Sequence, residues 1–178
     1  MRVDDIRIRT AEPADTAALQ TLYNRSMREL GGNDYTAAQI EACLRFIVTV
    51  DRDLIDDRTY FVAEIDGALV GCGGWTRRAP GFRTSADGAV VTADDTAALM
   101  RAIFVHPDWA RRGIASRIMV FLETCARQAG SRQAALVATL TGMSLYLTLG
   151  YTIRERFDID LPDGTAVAAI RMDKPLGG

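Results

Sequence analysis

The sequence predicts an α+β protein: a mixed, mostly antiparallel sheet of about seven strands flanked by about four helices. Three observations predict it. Alternating or continuous apolar runs of strand length mix with amphipathic stretches in the order β-α-α-β-β-β-α-β-α-β-β. Two of those runs, Tyr60 to Ile65 and Ala68 to Trp75, flank Asp66-Gly67, a strong hairpin signal. Residues 97–140 read as strand, helix, strand, the pattern of a single parallel, right-handed crossover.

Each element has a local cause. Ile6 to Thr10 alternates apolar and charged residues, as a half-buried strand does. Glu12-Pro13-Ala14-Asp15 opens a helix with an early proline and acids in its first turn. Leu19, Leu22, Tyr23, Met27 and Leu30 form its stripe, and Gly31-Gly32-Asn33 stops it. Thr36 with Gln39 is a capping box for a second helix, striped by Ile40, Cys43, Leu44 and Ile47. Asp51 to Arg58 reads as a charged loop. In the run after the hairpin turn, Gly71, Gly73 and Gly74 suggest a bulge or a close backbone approach. Residues 78–96 read as a long loop, a type that is often functional. Ala97 to Val105 is a strand. A helix follows from about Gly113 to Ala129, with Ile114, Ile118, Phe121, Leu122, Cys125 and Ala129 on its apolar face and Arg117, Glu123 and Arg127 away from it. Ala134 to Leu140 is continuously apolar, as a strand buried on both faces is. A short helix, Met143 to Leu149, precedes an alternating strand from Tyr151 to Leu161. Leu161-Pro162-Asp163-Gly164-Thr165 turns the chain into a last strand through about Met172.

Composition excludes several function classes. At 178 residues and 48% hydrophobic, the chain is read as one domain over 1–178 with an ordinary core. A net charge of −2 leaves no nucleic-acid footprint. No apolar run reaches membrane-spanning length, so no membrane partner is expected. The N-terminus MRVDDIRIRT is too polar for a signal peptide. Cys43, Cys72 and Cys125 lack metal spacing and read as reduced core residues of a cytoplasmic protein. With His106 alone, no metal site is expected.

The most informative stretch is Arg101 to Ala129. The strand ending Val105-His106-Pro107 runs into a basic turn, Trp109-Ala110-Arg111-Arg112-Gly113, and a helix starts at once. Helix-start N–H groups lack intrahelical partners and the dipole favours negative charge there, so this order suits a pyrophosphate. A dinucleotide fingerprint is absent, since only Gly113 is present with Ala115 two residues on. A P-loop is absent too, because no Gly-Lys-Ser/Thr follows. Val105-His106-Pro107 with Arg111-Arg112-Gly113-Ile114-Ala115-Ser116 closely resembles the acyl-CoA signature of the GNAT N-acetyltransferases, Arg/Gln-x-x-Gly-x-Gly/Ala after Val-x-Pro. One position departs: the first signature residue falls on Ala110. The element order resembles that fold over nearly the whole chain.

A second motif, Leu145-Tyr146-Leu147-Thr148-Leu149-Gly150-Tyr151, resembles the family's C-terminal Leu/Phe-Tyr-x-x-x-Gly-Phe/Tyr. The resemblance implies an acetyl-CoA-dependent N-acetyltransferase acting by direct attack of an amine in a ternary complex. It makes Tyr146 the general acid to the departing CoA thiolate. It puts acetyl-CoA between strands 97–105 and 134–140, the parallel pair forming the acyl-CoA cleft. Backbone groups of Phe104 and Val105 would hold the acetyl carbonyl and pantetheine. Arg111, Arg112, Gly113, Ile114, Ala115 and Ser116 would hold the pyrophosphate. The family often has Asn and Ala before the tyrosine; here Thr139 and Gly142 stand there, and Thr139 is the candidate cofactor contact. Glu64, Asp94, Asp95 and His106 are candidates for the base, and each also has a plain structural reading. Tyr23, Met27, Tyr35 and Trp75 are candidates for lining the acceptor side. The acceptor is expected to be a small-molecule amine, and family analogy allows a homodimer through the C-terminal hairpin. Two other classes stay open: a non-catalytic acyl-CoA-binding sensor or interaction module, and a structural α+β protein with a fortuitous turn.

Overall fold

The computed structural model describes residues 5–77 and 97–177. Among them lies one seven-stranded sheet. Its strands are β1 (Arg7–Thr10), β2 (Tyr60–Ile65), β3 (Ala68–Thr76), β4 (Ala97–Val105), β5 (Gln133–Thr139), β6 (Thr152–Asp160) and β7 (Ala166–Pro175). Their spatial order is β1-β2-β3-β4-β5-β7-β6. Every neighbouring pair is antiparallel except β4 and β5. The helices are α1 (Thr16–Leu30), α2 (Ala37–Phe46), α3 (Arg52–Asp56), α4 (Ile114–Gln128) and α5 (Met143–Thr148). The expected mixed, mostly antiparallel architecture is therefore present. The proposed 78–96 loop and Asp94-Asp95 fall outside the described residues.

Two expectations need correction at helices and one at a strand: Ala134 to Leu140 is not buried on both faces, because Val137 and Thr139 are exposed toward an open cleft. Asp51 to Arg58 contains α3, which makes five helices among the described residues rather than about four. The Asp51 carboxylate caps it by accepting from the Asp53 N–H at 3.1 Å, while Leu54 and Ile55 are buried. Two apolar residues in five were enough once a core lay beneath them. The second helix correction is Glu123, read as facing away from the core but in fact buried. Lys174 on β7 donates to its Oε2 at 2.7 Å, so the carboxylate enters the interior with a cation. The buried stripe of α4 is thus Ile114, Ile118, Met119, Leu122, Glu123 and Ala126, and Cys125 is only half-buried.

The helices cover both faces of the sheet. Leu19, Leu22 and Tyr23 of α1 and the α3 pair pack with Tyr60, Val62 and Cys72 on one face. On the other, α4 packs with Val70, Met100, Leu136 and Met172. Alternation along β3 explains the split: Gly71 and Gly73 face α4, while Cys72 faces α1. A Cβ at Gly73 would stand 2.9 Å from Ile118 Cγ2 and 3.1 Å from Leu122 Cδ1. The glycines therefore let α4 sit against the backbone of β3. The close approach expected at these positions is real, and a register shift between Cys72 and Gly74 supplies the bulge as well.

The parallel pair is short. It joins Ala97 to Gln133, Ala98 to Ala134 and Leu99 to Ala135, and beyond Leu99 no pairing continues. On its other side β4 carries the bulge. Arg101 pairs with Gly74 and Phe104 with Cys72, so Ala102 and Ile103 together oppose Gly73. Ala102 takes a left-handed φ of 53° to make the extra step.

Replacing Gly73 with alanine should push α4 away from the sheet. Overpacking of this kind costs ~1–3 kcal/mol, and urea denaturation should show the midpoint falling with an unchanged slope.

Candidate active site

Where β4 and β5 part, a cleft of about 1120 Å³ opens. Its walls come from β4 (Met100 to Val105), β5 (Val137 and Thr139), the turn and first residues of α4, α5, and the α1–α2 connection. Of the residues expected to meet a cofactor, Phe104, Val105, Arg111, Gly113, Ile114, Ala115, Ser116 and Thr139 line it. Tyr146 lines it too. Arg112 does not: its guanidinium lies over the Trp109 ring, 5.0 Å from the centroid.

The basic turn is built by local backbone bonds. Trp109 N–H donates to His106 C=O at 2.9 Å and Ala110 N–H to Pro107 C=O at 3.0 Å. Arg111 (φ 63°) and Gly113 (φ 80°) are both left-handed. Alternating left-handed residues turn successive N–H groups to one side, a concavity that suits an anion. A Cβ on Gly113 would meet nothing within 4 Å, so glycine is needed there for its backbone angle and not for space. The first bond inside α4 runs from Arg117 N–H to Gly113 C=O at 3.0 Å. The N–H groups of Ile114, Ala115 and Ser116 precede it and have no intrahelical partner.

Tyr146 stands on α5 against Tyr151, edge to face with centroids 5.8 Å apart. Gly142 leaves room for its ring, since a Cβ there would be 3.0 Å from Tyr146 Cε2. Burial pushes the Tyr146 phenol up to about 12, so it is a proton donor at every ordinary pH. Thr139 Oγ1 accepts from the Gly142 N–H at 3.2 Å and fixes the turn into α5.

The far side of the cleft is clasped by residues that carried no motif. Tyr35 Oη accepts from Leu140 N–H at 2.7 Å and donates to Ala168 C=O at 2.8 Å, tying α2's approach to β5 and β7. Thr141 Oγ1 donates to Asp34 at 2.7 Å. Met27 and Tyr35, two of the four candidates for the acceptor side, line the cleft. Tyr23 is instead buried and stacks on Phe104 at 4.1 Å, and Trp75 is buried in the α4-side core. Glu29, Asp34 and Arg101 also line the cleft, and Arg101 pairs with Asp51 at 2.7 Å. Their hydrophilicity alone could not distinguish them from solvated residues in the sequence.

The base candidates separate. Glu64 is held by Arg9 at 2.7 Å, and Arg9 also pairs with Asp15 at 2.8 Å, away from the cleft. The Arg9 guanidinium lowers the Asp15 carboxyl below its usual range. His106 Nε2 lies 2.6 Å from an Arg25 nitrogen, outside the cleft lining.

A mixed sheet opened between two parallel strands, over a basic left-handed turn at a helix start, defines a protein of the acyltransferase class. Residues 56–153 match the family model for the acetyltransferase (GNAT) domain, and the chain belongs to the GNAT family of acetyltransferases. Solved structures share the fold. A GCN5-related N-acetyltransferase from Rhodopseudomonas palustris is 19% identical with a TM-score of 0.73, covering 98% of both chains. A putative acetyltransferase from Salmonella typhimurium, solved with its cofactor acetyl-CoA, is 21% identical with a TM-score of 0.66, covering 97% of this chain and 95% of its own. The Drosophila melanogaster polyamine N-acetyltransferase, which forms N-acetylagmatine, is 19% identical with a TM-score of 0.66, covering 96% of this chain and all 100% of its own. No curated protein matches the sequence.

Tyr35→Phe should leave the Leu140 N–H and the Ala168 C=O without their partner. A loss of ~1–3 kcal/mol is expected for such buried groups, with hydrogen exchange at Leu140 accelerated well before that of β7 as a whole.

Proposed function

We propose that the protein transfers the acetyl group of acetyl-CoA to a primary amine of a small-molecule acceptor, by direct attack in a ternary complex. The observation that carries this reading is the placement of the helix start and Tyr146 on the walls of the one cleft that β4 and β5 open. The residues present fit the cofactor. The left-handed pair Arg111 and Gly113 and the N–H groups of residues 114–116 suit a pyrophosphate, and the open space at Gly113 leaves it unobstructed. Beyond Leu99 the inner edge of β4 bonds no strand, and it offers backbone groups near Val105 to an extended amide-bearing arm, as a sheet edge does to a strand.

Acetyl-CoA supplies an activated thioester, with the thiolate as leaving group. The chain does the rest. The Val105 backbone N–H, on the edge of β4 turned away from β3, orients the acyl oxygen and favours negative charge on it; the Phe104 N–H is directed at Cys72 on β3. Tyr146 keeps its proton through burial and gives it to the departing sulfur, while the proton released by the attacking amine passes to solvent in the open cleft and the phenol is reprotonated from there. Direct attack needs no cysteine nucleophile; Cys43 and Cys72 are buried with thiols pushed upward. On the acceptor side, Asp34 brings a carboxylate to the wall, which favours a cationic amine; Glu29 beside it is paired with Arg25 at 2.9 Å. The Drosophila neighbour's product, N-acetylagmatine, supports the same acceptor class.

Titration calorimetry with acetyl-CoA should show binding by the wild type. Gly113→Glu places a side chain and a negative charge at the helix start and should abolish it. The left-handed angle lowers the melting temperature of the variant, and a retained cooperative transition shows that it still folds. No binding by CoA-free wild type would remove the reading.

With an amine acceptor from a library screen, Tyr146→Phe should lower kcat by roughly 10²–10⁴-fold and leave acetyl-CoA affinity unchanged. A raised phenol pKa means the acid form is present below it and lost only above it. The rate should therefore show no descending limb from Tyr146 below about pH 11. Unchanged kcat in the phenylalanine variant would assign the proton to another group.

A further inference from the structure

We propose that Tyr23 and Tyr60 form a hydroxyl clamp that holds Ala102 in its left-handed bulge and so aims the Ile103–Val105 backbone into the cleft. They are positioning residues. The inference rests on the acyl-CoA reading of that cleft and concerns groups its chemistry does not use.

The bulge requires an explanation. A non-glycine residue at φ 53° inside a strand is held by its surroundings. Here the surroundings are specific. The Ala102 C=O accepts from Tyr60 Oη at 3.4 Å and from Cys72 Sγ at 3.7 Å, both from the α1 side of the sheet. Tyr60 Oη also hydrogen-bonds Tyr23 Oη. Tyr60 has one proton, and it goes to the carbonyl, so the proton between the phenols belongs to Tyr23. The result is a directed chain from Tyr23 to Tyr60 to Ala102, in which each bond polarises the next. Burial raises both phenols and pushes the Cys72 thiol up to about 12, so all three remain donors at working pH.

Two packing features complete the clamp. The Tyr23 ring stacks on Phe104, on the far side of the bulge from Arg101, with centroids 4.1 Å apart and planes 27° from parallel. Tyr60 can lie where it does only because Gly74 has no side chain: a Cβ there would be 2.6 Å from Tyr60 Cδ2. Four residues on α1, β2 and β3 thus converge on one carbonyl and the ring two residues beyond it. If Ala102 relaxed to ordinary extended backbone, the two-against-one pairing with Gly73 would collapse. One arm of β4 would then slip by a residue and turn its side chains to the opposite faces.

The test compares Tyr60→Phe, Tyr60→Phe with Ala102→Gly, and Ala102→Val in an otherwise intact core. Two readouts are taken: hydrogen exchange of the peptide spanning 97–105, and calorimetric affinities for acetyl-CoA and for CoA. Loss of one buried bond should speed β4 exchange and reduce the acetyl-CoA to CoA affinity ratio by about tenfold each. Ala102→Gly should bring the ratio back toward wild type, because glycine takes the left-handed angle unaided. A merely structural tyrosine would not be rescued in that way. Ala102→Val should reproduce the loss, since a β-branched residue resists that angle, and it carries the test if Tyr60→Phe does not fold. Unchanged exchange and ratio in folded Tyr60→Phe, a further fall on adding Ala102→Gly, or full retention in Ala102→Val would each overturn the clamp. If the wild type binds neither ligand, the acyl-CoA reading fails, and β4 exchange alone then decides the clamp.

Discussion

The structure depends on β4 being bonded at length to one neighbour and only briefly to the other. It follows β3 from Leu99 to Val105, yet leaves β5 after Leu99 and Ala135. An interior strand that abandons a partner exposes a row of N–H and C=O groups inside the protein, which ordinarily carries a desolvation cost. On its far edge β5 stays bonded to β7 from Gln133 to Thr139, and its groups on the near edge face the opening of the cleft. Tyr35 meets one more of its donors, the Leu140 N–H, just beyond. On β4 the bulge takes up the divergence. The cleft is thus the geometric remainder of a sheet that stays continuous on either side of it.

The placement of α4 follows from the same strand pair. Its start must lie at the mouth of the cleft, and its axis is set by contact with β3. Side chains at Gly71 and Gly73 would push Ile114, Ile118 and Leu122 outward and carry the helix start away from Val105. Close backbone approach is therefore a functional constraint expressed in packing. The α4 interior also accepts Glu123, paired with Lys174 of β7, beside Tyr151 and so next to the ring that flanks Tyr146. A buried ion pair adds little net stability against an apolar replacement. Its directional geometry does fix how α4 sits over the sheet end that supports α5.

Legibility in the sequence tracked how local each cause was. The capping box at Thr36 and Gln39, the Asp66-Gly67 turn and the strand-to-helix turn at 105–116 are set within a few residues, and each formed where its residues indicated. The short α3 was missed because a charged segment with two apolar residues has no period long enough to read. Glu123 was misplaced because a glutamate on a helix is normally solvated, and only the arrival of Lys174 from 51 residues away reverses that. Arg112 had the same composition signal as Arg111, but the position of Trp109 turned it away.

The sequence by itself determined the order of the seven strands and of four of the five helices among the described residues, the glycine turn with its helix start, the tyrosine motif at 145–151 and the family these resemble. Those features depend on backbone preferences and spacing, which act between near neighbours. Only the tertiary structure decided where β4 leaves β5, that Ala102 takes the bulge, and that Tyr23 is buried against Phe104 while Tyr35 reaches the cleft. Each of those outcomes joins residues tens of positions apart. Their energies exist only after the strands and helices have met, so no local pattern carries them.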